Sequence, residues 1–148
     1  MISTATLHDM GGLIEMGLAF YEESGFSNET EFSAESFSQT CTHLIGSGGV
    51  FVAKHGDKYV GMAGAMAYPF YFNKAHMTAQ EMFWWVAPEF RGGVSAMKLL
   101  RALEWWAASK GCQSISMISL PKLTHSPAAS LYQRIGYRAS EQTFIRSL

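Results

Sequence analysis

Val86-Ala-Pro-Glu-Phe-Arg-Gly-Gly-Val-Ser-Ala-Met-Lys-Leu-Leu100 reads as the end of a strand, a glycine-bearing turn and the opening of a helix. Backbone N–H groups at a helix start lack intrahelical acceptors and carry the positive end of the helix dipole, so a turn of this kind suits a phosphate. Gly92 and Gly93 let the main chain approach a ligand closely and take up positive φ. Alone, two glycines are read more simply as a bare strand-to-helix turn. The flanking pattern shifts that balance.

Upstream, Ala79 to Val86 is apolar on both faces, as a central strand covered by helices must be, and Glu81 is the exception. Downstream, Met97, Leu100, Leu103 and Trp106-Ala107 form one stripe of a helix from Val94 to Ser109, ended by Lys110-Gly111. Ser114-Ile-Ser-Met-Ile-Ser-Leu120 then alternates small polar with apolar residues, the period of a strand, and Pro121 closes it. Strand, turn, helix and strand form a βαβ-like unit, which predicts neighbouring parallel strands with a right-handed crossover.

Toward the N-terminus, Asp9 is a candidate cap for a helix bearing Leu13, Met16, Ala19 and Phe20. Ser33 is the corresponding cap for a helix with Phe37, Cys41 and Leu44-Ile45 on one side, stopped by the glycines from Gly46 to Gly49. The polar stretch from Glu22 to Glu31 reads as a loop over a cleft. Val50 to Ala53 and Tyr59 to Ala65 flank Gly56-Asp57 and predict a hairpin, which makes the sheet mixed. Tyr68-Pro-Phe-Tyr-Phe-Asn73 fits either a strand edge packed on the core or a pocket wall, because Pro69 disfavours a central strand. Toward the C-terminus, Ser126-Pro127 predicts a helix start running through Leu131 and Ile135 to Gly136, and Thr143-Phe-Ile is β-prone.

The chain of 148 residues suits a single domain, 1–148. With 48% hydrophobic, 14% aromatic and 16% charged residues it is not disordered, and the aromatics suit a filled core or an apolar cleft. A net charge of -1 gives no electrostatic reason to expect nucleic acid or an anionic membrane. Cys41 and Cys112 are too few for a disulfide framework, and neither they nor the five scattered histidines have metal-ligand spacing, so no metal is expected. No signal segment or membrane span is visible, which points to a soluble, cytoplasmic protein.

The opening run resembles the cofactor loop of the GNAT superfamily of acyl-CoA-dependent N-acetyltransferases, V-x-P-x-x-R-G-x-G-x-G/A before a leucine-rich helix. Val86, Pro88, Arg91, Gly92 and Ala96 match it. One strand later, Ala128-Ala-Ser-Leu-Tyr-Gln-Arg-Ile-Gly-Tyr137 resembles that superfamily's A-x-x-L-Y-x-K/R-x-G-F/Y. Two motifs in the required order are more specific than either alone, and they carry the resemblance from about Ala79 to Tyr137. Val94 stands where a second glycine is usual, and His125 stands where the family often has asparagine.

The resemblance implies an α/β (α+β) domain with a mixed, mostly antiparallel sheet flanked by helices, and a splayed parallel strand pair at the acyl-CoA site. It implies transfer of an acetyl group from acetyl-CoA to a primary amine of a small molecule or protein by direct attack on the thioester, leaving coenzyme A. The pyrophosphate then lies on the amides of Gly92, Gly93, Val94, Ser95 and Ala96 with Arg91 beside them, and Arg134 is a further phosphate candidate. Main-chain groups near Trp85 and Val86 serve the thioester carbonyl. An amine of pKa about 10 must lose a proton before attack. Glu81, placed by strand alternation with Phe83 and Trp85, is the candidate base, against a structural reading in a salt bridge or in solvent. Tyr132 is the candidate acid for the thiolate, against a packing role.

A non-catalytic acyl-CoA-binding sensor or interaction module of the same fold is the alternative, since fold alone does not separate the two. A different nucleotide in the loop is disfavoured, because neither a Walker-type Gly-Lys-Ser/Thr nor a full GxGxxG is present. The acceptor pocket is expected from the Glu22 to Glu31 loop and the Tyr68 to Asn73 aromatics, with no acidic cluster to announce a polycation. A homodimer is one option for assembly.

Overall fold

The computed structural model describes residues 1–120 and 128–148. Among the described residues five strands form one sheet: β1 (Ile2–Thr4), β2 (Val50–His55), β3 (Lys58–Phe70), β4 (Asn73–Val86) and β5 (Ser114–Ser116). They lie side by side in chain order, antiparallel throughout except for the parallel pair β4–β5. Helices α1 (Met10–Ser24) and α2 (Ala34–Gly46) fall between β1 and β2, α3 (Val94–Ser109) falls between β4 and β5, and α4 (Ala128–Arg134) follows.

Alternation along β2 assigns the two faces. Val50 and Val52 pack with Leu13 and Met16 of α1 and Cys41 and Leu44 of α2. Phe51 and Ala53 turn the other way, onto Leu99, Leu103 and Trp106 of α3. The apolar stripes read from helical spacing are thus the buried ones, and α3 has the bounds expected of it. Ser33 caps α2 as predicted, its hydroxyl accepting from the Ser36 N–H at 3.1 Å.

Several expectations are corrected. The stretch from Glu22 to Glu31 is not all loop: α1 continues to Ser24, Gly25 turns the chain at φ 82°, and Phe26–Asn28 adds a single 3-10 turn. Tyr68 to Asn73 is the end of a second long hairpin, with β3 reaching Phe70 and only Tyr71 and Phe72 at its exposed tip. Pro69 is accommodated there because the register between β3 and β4 breaks beside it. The strand from Ser114 to Leu120 is paired only over Ser114–Ser116. Thr143-Phe-Ile forms no strand: Phe144 and Ile145 are 84% and 73% exposed, since β propensity without a partner to pack on does not make a strand. The start expected at Ser126-Pro127, with Pro121 and His125, lies outside the described residues.

A further correction concerns Glu81. Gly64 pairs with Phe83 and Ala65 with Glu81, so Met82 is an extra residue in β4. This bulge resets the alternation. Phe83 and Trp85 face α1 and α2, whereas Glu81 shares its side with Ala65 and Ala79, which pack toward α3. Phe83 fits because Gly64 has no side chain: a Cβ there would lie 2.4 Å from the Phe83 ring.

Asp9 precedes α1 as expected, but its carboxylate does not cap it. One oxygen accepts from Lys54 Nζ at 2.8 Å and the Tyr59 hydroxyl at 2.7 Å, and the other from the Thr6 N–H at 2.9 Å. Burial opposes its charge, yet these donors hold the carboxyl well below the usual aspartate range. Asp9→Ala is expected to destabilise the fold by about 2 kcal/mol at pH 7 in a thermal melt. A depressed folded pKa contributes stability above the unfolded value, so the wild type should lose this advantage as pH falls below 3.8.

Candidate active site

The parallel ladder between β4 and β5 stops at Gln80–Ser116. Beyond it Glu81, 5% exposed, reaches across, and its Oε2 accepts the Ile118 N–H at 2.8 Å. Tyr132 of α4, also buried, donates its hydroxyl to the Ile118 carbonyl at 3.0 Å. The two predicted catalytic side chains thus meet at the two main-chain groups of one residue. Their opening is a pocket of about 80 Å3 walled by Phe20, Phe26, Glu81, Met82, Trp84, the segment 118–120 and Ala128. Phe26 shows that the region after α1 does reach the site, while the aromatics of Tyr68 to Asn73 are absent from these walls.

Burial pushes the Glu81 carboxyl up to about 7, against the opposing hydrogen bond from Ile118. A carboxylate of that pKa both takes and releases a proton near neutrality. Burial also raises the Tyr132 hydroxyl, and the neighbouring Glu81 charge adds to it, so the phenol keeps its proton. The Tyr132 ring rests between Trp84 and Tyr137, at centroid distances of 5.7 and 5.4 Å. The Tyr137 hydroxyl donates to Glu104 of α3 at 2.9 Å and so ties the end of α4 to that helix.

The loop between β4 and α3 begins with a 3-10 turn at Pro88–Phe90, after which Gly92 takes φ 78° and Gly93 is the N-cap of α3. Val94 opens the helix without positive φ, so the usual second glycine is dispensable in this path. No acidic residue lies in the first turn of α3 and no side chain caps it. Val94 is exposed and Ser95 and Ala96 are half-buried, which leaves that turn suited to an anion.

Arg91 is held within the fold. Its Nε donates to the Val86 carbonyl at 2.8 Å, and Nη2 contacts both oxygens of Glu23 at 2.8 and 2.7 Å. Trp85 Nε1 donates to the same carboxylate at 3.2 Å. Arg91 therefore pins the loop to the end of α1, and the Val86 carbonyl is already engaged. Glu23 is a residue that sequence reasoning missed: 68 positions separate it from Arg91 and no motif marks it. Trp85 is buried toward α1, and Arg134 is exposed at the carbonyl end of α4.

Cys112 is half-buried and Cys41 fully buried, and burial raises both thiols, which fits packing rather than covalent catalysis. The fold does assemble carboxylates that no sequence run announced. Glu15, Glu22, Glu23, Asp57 and Glu89 border a groove of about 630 Å3 beside α1, with Glu23 and Glu89 paired to Arg91 and Lys58.

The family model described as Acetyltransferase (GNAT) family matches residues 16–137. The chain belongs to the GNAT acetyltransferase family. It is accordingly an acyl-CoA-dependent acetyltransferase whose co-substrate is acetyl-CoA. This GNAT chain is similar in fold to AAC(6')-Iy in complex with the bisubstrate analogue CoA-S-monomethyl-acetylneamine: TM-score 0.78, 16% identity, covering 100% of this chain and 97% of that one. A predicted acetyltransferase from Clostridium acetobutylicum solved with acetyl-CoA gives TM-score 0.77 at 14% identity, covering 99% and 95%. The aminoglycoside 6'-N-acetyltransferase AAC(6')-IG from Acinetobacter haemolyticus gives 0.71 at 18%, covering 100% and 97%. A search of curated proteins finds no match. Among the described residues no helix is long and apolar enough to cross a membrane.

The Glu81 environment makes a stability prediction. A carboxyl whose folded pKa exceeds its unfolded value binds its proton more tightly when folded, so stability is full below 4.5 and is lost as pH rises toward about 7. Glu81→Gln keeps an acceptor for Ile118 and removes the charge. Its unfolding free energy, measured in urea across that window, should lack this downward slope.

Proposed function

We propose that this chain acetylates a primary amine of a small molecule or a protein by direct attack on the acetyl-CoA thioester. The observation that carries this reading is the convergence of Glu81 and Tyr132 on Ile118, at the mouth where β4 and β5 part. Glu81 receives the proton that the attacking amine must lose, directly or through a water. Tyr132 gives its proton to the departing thiolate and turns from the Ile118 carbonyl to do so. The unpaired margin of β4 beyond Gln80 holds the acyl-bearing arm, and the first turn of α3 takes the pyrophosphate on the amides of Gly93 to Ala96. Arg91 keeps that loop in place through Glu23, and Arg134 adds positive charge from the end of α4.

Release of the coenzyme A thiol, followed with acetyl-CoA and a panel of primary amines that includes aminoglycosides and peptides, tests the reading. Turnover of at least one amine, with product acetylated on nitrogen, is the expected result. No thiol release above hydrolysis with any amine would overturn it.

Two variants test the assigned roles. kcat/KM should rise with pH through about 7 as Glu81 ionises, and Glu81→Gln should lower kcat by about 10²–10⁴-fold and abolish that limb. Tyr132→Phe should lower kcat with acetyl-CoA affinity nearly unchanged, as measured by calorimetry. Full activity in Tyr132→Phe would remove the tyrosine from the mechanism.

A further inference from the structure

The pocket at Glu81 holds one carboxylate in apolar surroundings. Apart from Ser119, the described residues that share its walls are apolar or aromatic. Phe20 of α1 and Phe26 of the following 3-10 turn meet edge to face, with centroids 6.2 Å apart and planes at 86°, and so make one aromatic wall. Phe26, Met82 and Ile118 all line the pocket, and they are 43%, 43% and 45% exposed. A single exposed apolar side chain needs no explanation, but three around one polar centre form the rim of a binding site.

Charge and size then select what this rim accepts. Residues 121–127, Pro-Lys-Leu-Thr-His-Ser-Pro, contain neither aspartate nor glutamate, so the chain between Leu120 and Ala128 brings no second carboxylate. The acidic groove beside α1 has no wall residue in common with this pocket, and its Glu23 and Glu89 are already paired. One carboxylate offsets one ammonium. A second cationic group held against Phe26, Met82 and Ile118 would give up water for apolar side chains, a cost that none of the three offsets. The cavity of about 80 Å3 is roughly half of the ~150 Å3 that holds benzene, so it takes an amine and its first carbons but not a sugar ring. A peptide would lay polar main-chain groups on the same apolar rim.

We propose that the acceptor is a small monoamine on an apolar carrier: its ammonium enters to Glu81, and its alkyl or aryl group lies across Phe26, Met82 and Ile118. This rests on the preceding reading of Glu81 as the group that receives the proton of the amine. Apolar area that the chain leaves open is then buried by the substrate, and that burial selects the carrier.

The test follows thiol release from acetyl-CoA by the wild type with propylamine, hexylamine, phenethylamine, hexamethylenediamine, a lysine peptide and the aminoglycoside kanamycin. kcat/KM should rise by about two- to fourfold for each methylene added between propylamine and hexylamine. Hexylamine should exceed hexamethylenediamine, which has the same length and a second charge, by about tenfold or more. A flat response to chain length overturns the proposal and leaves acetyl transfer intact. So does use of the diamine, the lysine peptide or kanamycin as well as hexylamine. Absence of thiol release with every amine overturns the underlying reading as well.

A variant locates the rim. Met82→Gln replaces a half-exposed apolar side chain by a polar one of similar length, and calorimetry with acetyl-CoA verifies that the variant is folded and loaded. The gain in kcat/KM from propylamine to hexylamine should shrink by about threefold or more. The full wild-type gain in both Met82→Gln and Phe26→Ser overturns the placement of the carrier on this rim, and the wild-type comparison stands whether or not either variant folds.

Discussion

A carboxylate takes over where the sheet runs out. The β4–β5 ladder carries only three residue pairs, and beyond Gln80–Ser116 the Ile118 N–H is satisfied by Glu81 instead of by main chain. A side chain is longer than the spacing of a ladder, so the segment after β5 stands away from β4 and a pocket opens between them. The Met82 bulge places Glu81 on the side from which it makes this reach. Tyr132 then secures the same residue from α4. The site therefore depends on one buried hydrogen bond that keeps two strands apart yet joined.

Two buried carboxylates show how environment separates structural from chemical roles. Asp9 receives Lys54, Tyr59 and Thr6, and these donors outweigh its desolvation, so it stays ionised and binds β2 and β3 to the start of α1. Among the described residues Glu81 receives one N–H and no cation, so desolvation prevails and its pKa lies near neutrality. The number and charge of the donors make one an anchor and suit the other to proton exchange.

The loop between β4 and α3 is stabilised from outside itself. Gly92 supplies the positive φ of the turn, while the Arg91–Glu23 pair connects the loop to the end of α1 and closes off the Val86 carbonyl. Arg91 thus acts first on backbone geometry, and the first turn of α3 is left suited to an anion. The partly exposed ion pair, with side-chain exposures of 43% and 28%, matters more for the path of the chain than for net stability.

The run from Val86 to Leu100, the apolar stripes of the three long helices and the parallel strand pair were legible because each rests on local periodicity or on residues a few positions apart. Glu81 and Tyr132 were legible as candidates for the same reason: one is a lone carboxyl in an apolar strand, the other sits in a short motif. By itself the sequence determined the order of the elements, the glycine turn and the family. Only the tertiary structure decided that Met82 is a bulge, that β5 stops after three residues, that Glu81 and Tyr132 meet at Ile118 and that Arg91 is held by Glu23. These depend on strand register and on contacts between residues 14 to 68 positions apart, where a shift of one residue exchanges the faces of a strand and no local pattern records it.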